Sequence, residues 1–136
     1  MAEVDLEALR DAVAARIATV SGLNVYPYIG GQVQTPAAGI LTGEPYIDRE
    51  TAQGVHTIQL RVALLVSSSN LEEAQRQLDR LVDDVVPALL TEPDPVDVIG
   101  DLWVPTVGGS DFVKLGGVEL IALPIDLRCH LRRALT

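Results

Sequence analysis

The feature that most constrains the fold is a run of strict alternation between Val55 and Val66. Apolar side chains occupy every second position of this run: Ile58, Leu60, Val62, Leu64 and Val66. Successive side chains of a strand point to opposite faces, so this row predicts a β-strand with one face against a core. The intervening row starts polar and ends apolar: Thr57, Gln59, Arg61, Ala63 and Leu65. We therefore expect another part of the chain to cover that end of the second face.

Two more strands are predicted near the C-terminus. A long one spans Val118–Leu131 and a shorter one spans Asp101–Val107. The segment between them is bracketed by the glycine pairs Gly108-Gly109 and Gly116-Gly117, which is typical of a loop. The two strands are therefore expected to form a hairpin that is joined by a glycine-flanked loop.

Two helices are also predicted. Residues 3–20 carry apolar side chains three and four positions apart, as an amphipathic helix does: Leu6, Leu9, Val13, Ile17 and Val20. A second helix is expected to begin after Asn70, whose side chain suits the N-cap, with Glu73 three residues on in the position of a capping box. Pro87 is expected to kink or end that helix.

The segment from Gly30 to Gly54 reads as irregular, because glycines and prolines punctuate it. Leu23–Ile29 before it is predicted to be a short strand, and Ala37–Leu41 is a candidate strand inside it. So long a connection is uncommon in a compact domain and is usually functional or ordered only on contact.

These elements predict one α+β domain over residues 1–136. Its architecture is expected to be two layers, with a mostly antiparallel sheet of four to five strands covered by two helices. A chain of 136 residues is long enough to bury a core without disulfide or metal staples.

Composition excludes several classes of function. Ten Lys and Arg against nineteen Asp and Glu give a net charge of −9, which argues against a general nucleic-acid binder. One Cys and two His exclude a disulfide framework and a multi-cysteine zinc site. The acidic N-terminus does not resemble a signal peptide, and no stretch reads as a membrane span. We therefore expect the protein in the cytoplasm or in an assembly built there.

No constellation of residues predicts catalysis. Cys129 and His130 are neighbours on a strand, so their side chains diverge, and Cys129 falls in the apolar row as a buried hydrophobe would. Asp83 and Asp84 point in different directions on their predicted helix, so we interpret them as part of a solvated acidic face. The glycine pairs match no phosphate-binding motif. The sequence thus predicts no catalytic residue, no cofactor and no metal site.

Charge is unevenly distributed along the chain. From Glu72 to Asp101 there are nine acids but only two bases, whereas the sign reverses after Leu120. The basic residues of this last segment are Arg128, Arg132 and Arg133, which oppose a single acid, Asp126. Asp126 is positioned to pair with Arg61 or Arg128 across the sheet. The pattern fits either a solvated helix face with an Arg-rich tail or copies that pack head to tail.

Three segments of the chain resemble siphophage tail terminator (tail completion) proteins, especially those of actinobacterial phages. They are LEALRDAVAARIATVSGLNVYPYIGG, then HTIQLRVALLVSSSN leading into EEAQRQLDRLVDD, and finally KLGGVELIALPIDLRCHL. The resemblance lies in the order of the predicted elements and in short stretches of sequence, and it covers nearly the whole chain. The sequence departs from the family pattern at Leu123-Pro124, which calls into question the hydrogen bonding of the last strand.

The resemblance implies a structural virion protein and not an enzyme. Such proteins form a ring, usually a hexamer, that caps the finished tail tube, ends its polymerisation and forms the joint to the head and neck. The implied partners are copies of the chain, the tail tube protein and a head or neck connector protein, with DNA passing through without specific binding. An acidic interior would suit that passage. The implied location is the tail and neck junction of a virion assembled in the host cytoplasm.

Candidate contact residues follow from the two predicted loops, Gly30–Gly54 and Asp111–Gly117, and from the basic C-terminal segment. Tyr46 and Phe112 are the candidate apolar anchors, because aromatic side chains dominate interface energetics. The full candidate interface comprises Tyr46, Arg49, Asp111, Phe112, Lys114, Arg128, Arg132 and Arg133. Three alternatives stay open: another head-to-tail connector such as a stopper or adaptor, a small-ligand-binding α+β domain or small enzyme, and a bacterial regulatory or toxin-partner protein.

Overall fold

A computed structural model of the chain describes residues 6–50, 55–90 and 101–132; within these ranges it does not describe the side chains of 44–50, 55–56, 101–103, 105 and 130–132. The described part contains two helices and six strands. In chain order they are α1 (Leu6–Ile17), β1 (Asn24–Tyr26), β2 (Ala37–Glu50), β3 (Val55–Ser67), α2 (Leu71–Leu89), β4 (Asp101–Val107), β5 (Asp111–Leu115) and β6 (Val118–Arg132).

The strands form one open sheet in the order β1-β2-β3-β6-β4, with β5 pairing to β6 beside β4. The pair β1 and β2 is parallel and all other pairs are antiparallel. Both helices pack against one face of this sheet. The predicted α+β two-layer class is therefore confirmed, with six strands where four to five were expected.

The main core lies between the helices and the apolar row of β3. That row packs with buried side chains of α1, α2 and β6 in a single cluster, and all five of its members are at most 1% exposed: Ile58, Leu60, Val62, Leu64 and Val66. Of α1, Leu9, Val13 and Ile17 are fully buried, as the helical spacing predicted.

The segment expected to be irregular is largely a strand. β2 extends over Ala37–Glu50 and pairs with β3, so only its first five residues had been recognised as a candidate strand. The register of the pair shifts between Thr42 and Ile47, which marks an irregularity where several residues of β2 lie opposite Gln59. Glycines and a proline interrupt the alternation of β2, and this strand forms because β3 offers a complete row of backbone partners.

The glycine-flanked loop before β6 also contains a strand. β5 pairs with the first residues of β6, from Asp111 opposite Ala122 to Leu115 opposite Val118. The two residues between the strands, Gly116 and Gly117, have φ of 60° and 81°. Positive φ at both turn residues matches the right-handed twist of a two-residue hairpin, and glycine adopts it without steric cost. The expected β4–β6 pair exists, but the hairpin that adjoins β6 is the one formed by β5.

Pro124 lies inside β6 without disrupting the sheet. Its carbonyl accepts a hydrogen bond from the Gly108 N–H at 2.8 Å, so its nitrogen faces the side of β6 that carries β4 and β5. On that side β4 ends at Val107 opposite Ile125, and β5 begins at Asp111. The missing N–H therefore falls in the gap between two strands, where the ladder has no partner for it.

Both ends of α2 lie where the sequence predicted them. The Asn70 side chain accepts a hydrogen bond from the Glu73 N–H at 3.1 Å, which confirms the N-cap. The Glu73 carboxylate does not complete a capping box, because it accepts a hydrogen bond from Arg80 at 2.8 Å. Pro87 lies in the last turn, and the helix ends two residues later at Leu89. Arg16 of α1 donates to the Leu89 carbonyl at 2.7 Å, where the helix dipole favours a cation.

Residues that the structure describes cover one end of the sheet face that points away from the helices. There Ala37, Leu65 and Leu120 form a second, smaller buried cluster. Tyr26, Val33 and Leu115 pack on it, so the segment after β1 and the β5–β6 hairpin supply the cover that the apolar end of β3 required.

Candidate interaction surfaces

The candidate contact residues fall at two opposite ends of the sheet. One end holds β5, with Asp111, Phe112 and Lys114. The other end holds Arg49, which pairs in register with His56 of β3, and Arg132, which pairs with Val55. The structure therefore does not bring the predicted contact residues into one patch.

The remaining candidates are placed less completely. Tyr46 lies in β2, inside the stretch where its register shifts, and the side chains of Tyr46, Arg49 and Arg132 are among those not described. Arg133 lies outside the described residues. Arg128 lies on β6, exposed, directly opposite Gln59.

The β5–β6 hairpin exposes apolar side chains on both of its faces. Phe112 is 54% exposed and shares a face with Ile121, its partner in the register. Val113 and Val118 are 36% and 58% exposed and lie on the other face. Sequence reasoning had singled out Phe112 but missed both valines, because a short apolar run does not reveal which side of it will be covered.

The base of this hairpin is held in place by local contacts. The Asp111 carboxylate accepts a hydrogen bond from the Phe112 N–H at 2.8 Å. On the other side the turn touches the segment after β1, since a Cβ at Gly116 would collide with the Gly31 carbonyl oxygen. The close approach of Gly116 to Gly31 joins the turn of the hairpin to another segment, so the hairpin is not a free loop.

The segment between β1 and β2 is attached to α1 by Arg10. One guanidinium nitrogen of Arg10 donates to the carbonyls of Pro27 at 3.1 Å and Ile40 at 3.3 Å. The same guanidinium lies 4.5 Å from the centre of the Tyr28 ring, in a cation–π contact. These contacts attach to α1 the beginning of the segment that follows β1 and packs on the second face of the sheet.

The other end of that second face is open and polar. Arg61 Nε donates to the Asp126 carboxylate at 2.9 Å, so the first of the two predicted pairings is confirmed. Beside this pair is a depression of about 50 Å³ that Gly43, Gln59 and the pair itself help to line. Leu41, opposite Arg61 in the register, is 41% exposed.

The outer surface of α2 is acidic. Glu72 and Glu73 pair with Arg76 at 3.2 Å and with Arg80 at 2.8 Å. Asp79, Asp83 and Asp84 are exposed and form no ion pair with any residue whose side chain the structure describes. The helix therefore presents three uncompensated carboxylates to solvent.

Cys129 is fully buried in the main core, as its place in the apolar row predicted. Burial raises the pKa of its thiol from 9.0 to about 12, against a smaller lowering by the positive charge of Arg16. A thiol that stays protonated is a poor nucleophile, so this side chain acts as a packing group.

Among the side chains that the structure describes, no three of His, Cys, Asp or Glu come together as a metal site would require. Neither of the helices in the described part of the chain is long and apolar enough to cross a membrane.

No model of a known protein family matches the chain, and no curated protein matches it significantly. The resemblance to tail terminator proteins therefore stays a prediction from the sequence.

Proposed function

We propose that the chain is a structural subunit of a siphophage tail. In this proposal its copies form a ring, a hexamer in the family it resembles, that caps the tail tube, ends its polymerisation and joins it to the head and neck. The observation that carries the proposal is the β5–β6 hairpin, where Phe112, Val113 and Val118 are exposed on the two faces of an element at the edge of the sheet. Exposed apolar groups on a fixed element are typical of a protein contact surface.

The likeness in element order and in short sequence phrases supports the same assignment. Its partners would be other copies, the tail tube protein and a neck connector protein, and its place would be the tail and neck junction of the virion. DNA would pass through the ring, and the net charge of −9 would disfavour adhesion of phosphates during that passage.

A stopper or adaptor of the neck is the second candidate, since such a connector shares the size, the acidity and the location of a tail terminator. The copy number of the ring and the order of binding separate the two.

A small-ligand-binding domain is not supported by the depression beside Arg61 and Asp126. This depression measures about 50 Å³. Ligand pockets usually enclose about 300–1,000 Å³. Nothing on the described surface favours this third candidate over an assembly protein.

The proposal is tested by tube assembly with and without the chain. Tail tube protein polymerised in the presence of the purified chain should give tubes of limited length with a ring at one end, seen by negative-stain electron microscopy. Tubes that keep growing and carry no ring would contradict the proposal.

The hairpin is tested by Phe112→Ala. Because Phe112 is 54% exposed, its truncation should leave the folded monomer intact but weaken ring formation by about tenfold or more. Leu90→Ala is the matched control, since Leu90 is 45% exposed at the far end of α2 and its truncation should leave rings unchanged. Native mass spectrometry measures both, and normal rings with Phe112→Ala would remove the hairpin from the interface.

A further inference from the structure

The segment between β1 and β2, residues 27–36, is in contact with the β5–β6 hairpin, and we call it the strap. Val33 of the strap and Leu115 of the hairpin pack on the same small cluster of buried side chains. The two segments also meet at the backbone, since a Cβ at Gly116 would collide with the Gly31 carbonyl oxygen. The strap therefore forms one side of the site in which the hairpin lies.

Side chains outside the strap hold it at both ends. At its start, Arg10 of α1 donates to the Pro27 carbonyl at 3.1 Å and lies 4.5 Å from the centre of the Tyr28 ring. Near its other end, the side-chain amide of Asn24 donates to the Gln34 carbonyl at 3.0 Å. The strap contains no helix or strand, so its position depends on bonds of this kind.

We infer that Arg10 is a positioning residue for the β5–β6 hairpin and acts on it through the strap. The inference rests on the proposed function, because the hairpin is the element through which copies would contact each other. A contact element that is already held in place loses less conformational freedom when its partner binds. Arg10 would thus favour assembly although its own contacts are with residues 27, 28 and 40.

The path from α1 to the hairpin is short. Gly31, which meets Gly116 of the hairpin turn, is three residues from Tyr28, and three residues span at most about 10 Å. Val33 follows two residues later and reaches the cluster that it shares with Leu115. A strap that is fixed at Tyr28 is therefore restricted at both of its contacts with the hairpin, and release of its start removes that restriction.

Arg10→Met tests this role. Methionine keeps an apolar stem but has neither N–H donors nor charge, so the hydrogen bonds and the cation–π contact are lost together. The dissociation constant of assembly, measured by native mass spectrometry over a dilution series, should rise by about tenfold. In the isolated monomer, hydrogen–deuterium exchange of residues 27–36 and 111–121 should become faster by about the same factor.

Arg16→Met is the matched control. Arg16 lies on the same helix and also donates to a carbonyl, that of Leu89 at 2.7 Å, but this bond holds the end of α2. Its loss should lower stability without faster exchange in the hairpin and without weaker assembly. Arg10→Lys keeps a cation and N–H donors on a long stem, so it should restore most of the assembly that Arg10→Met loses. Circular dichroism confirms that all three variants fold, and equal losses of assembly in Arg16→Met and Arg10→Met would overturn the inference.

A double-mutant cycle with Phe112→Ala tests whether Arg10 acts through the hairpin. If it does, Arg10→Met should weaken the assembly of the Phe112→Ala variant by less than about threefold, because the contact that Arg10 positions is already truncated. Two effects that multiply in full would mean that Arg10 supports assembly by another route, and the inference would be wrong.

Two glycines of the hairpin turn test the contact between strap and hairpin. Gly116 and Gly117 both have positive φ, so alanine is strained at either position, but a Cβ at Gly117 would meet no atom within 4 Å. Only Gly116→Ala adds a collision with the Gly31 carbonyl oxygen. Exchange in the strap should therefore be faster, and assembly weaker by about tenfold, in Gly116→Ala than in Gly117→Ala.

The outcomes separate this inference from the proposed function. If Phe112→Ala weakens assembly but Arg10→Met assembles as the wild type does, the inference is wrong and the proposed function stands. Unchanged exchange of the hairpin in the Arg10→Met monomer also contradicts the inference, whether or not rings form. A wild-type chain that stays monomeric and caps no tube overturns the proposed function and, with it, the role of Arg10 in assembly.

Discussion

At the scale of single residues, Gly43 shows how closely β2 approaches β3. A Cβ built at this position would lie 2.7 Å from the Gln59 Cβ and 2.8 Å from the Gln59 carbonyl carbon and oxygen. Backbone atoms cannot move aside as a side chain can. Gly43→Ala should therefore lower the free energy of unfolding by about 1–3 kcal/mol, the usual range for overpacking. Urea unfolding followed by circular dichroism measures it.

Gly109→Ala is the control for this prediction. A Cβ at Gly109 would meet no atom within 4 Å, and this glycine does not have a positive φ. The change should leave stability within about 0.5 kcal/mol of wild type or raise it slightly. Equal urea midpoints for the two variants would show that β2 and β3 are less closely packed at Gly43 than the distances indicate.

Cys129 should make stability depend on alkaline pH. The folded protein holds the thiol proton up to a pKa of about 12, whereas the unfolded chain loses it near 9.0. The stabilising effect is complete below the lower pKa and is lost as pH rises between the two. Over that interval the free energy of unfolding should fall by up to about 1.4 kcal/mol per pH unit through this group.

Comparison with Cys129→Val isolates this contribution from that of other titrating groups. Valine fills the same apolar site without a proton to lose, so the stability difference between wild type and variant should be constant below about pH 9 and shift in favour of the variant above it. Urea unfolding from about pH 7 to about pH 10 follows the difference. A constant difference throughout would mean that the thiol titrates alike in both states.

At the scale of elements, the N-cap of α2 is the contact most open to a direct test. Asn70 accepts the Glu73 N–H at 3.1 Å, and its extended backbone conformation is that of an N-cap residue. Asn70→Ala leaves that N–H without its partner and should cost about 1 kcal/mol of stability. Asn70→Asp keeps an acceptor in place and should restore most of it. Thermal unfolding distinguishes the two variants. An equal loss of stability in both would mean that the hydrogen bond from the Glu73 N–H is not the cause.

The elements that the sequence predicted well are those whose side chains have one consistent environment. β3 and β6 alternate because a single face of each meets the helices, and α2 has a single apolar stripe. Patterns of this kind are visible without knowledge of the partner. The cross-strand pair Arg61–Asp126 followed from the same alternation, which places both residues on the polar face.

β2 and β5 were missed for physical reasons. β2 contains Gly39, Gly43 and Pro45 and a shift of register, so its strand character comes from pairing with β3 and not from its own side chains. β5 is short and exposed on both faces, and an element without a buried side shows no alternation.

The contacts of Arg10 and Arg16 could not be predicted from local patterns. Their carbonyl partners lie 17, 30 and 73 residues away in the chain. Both arginines belong to α1, where the sequence indicated only an amphipathic surface. Long-range polar contacts depend on the tertiary arrangement. The bonds of Arg10 to the segment after β1 and to β2, and that of Arg16 to the end of α2, are therefore visible only in the structure.

At the scale of the whole molecule, a ring that forms by head-to-tail contacts should assemble with few intermediates. Every open chain of copies joined head to tail ends in one unused surface of each of the two kinds that form the contact. The contact that closes the ring joins these two surfaces within one particle, at a high effective concentration and without the entropy cost of adding another copy. Closed rings are therefore favoured over open chains of nearly the same length.

We expect the wild-type protein to pass from monomer to a single larger species as its concentration rises. Native mass spectrometry over a dilution series measures this, and Phe112→Ala should need a higher protein concentration for the same transition. A dominant dimer would instead indicate a two-fold contact in which the same surface of each copy meets itself. A series that lengthens without limit would indicate head-to-tail contacts whose rotation does not close, so the distribution of species reports the geometry of the contact directly.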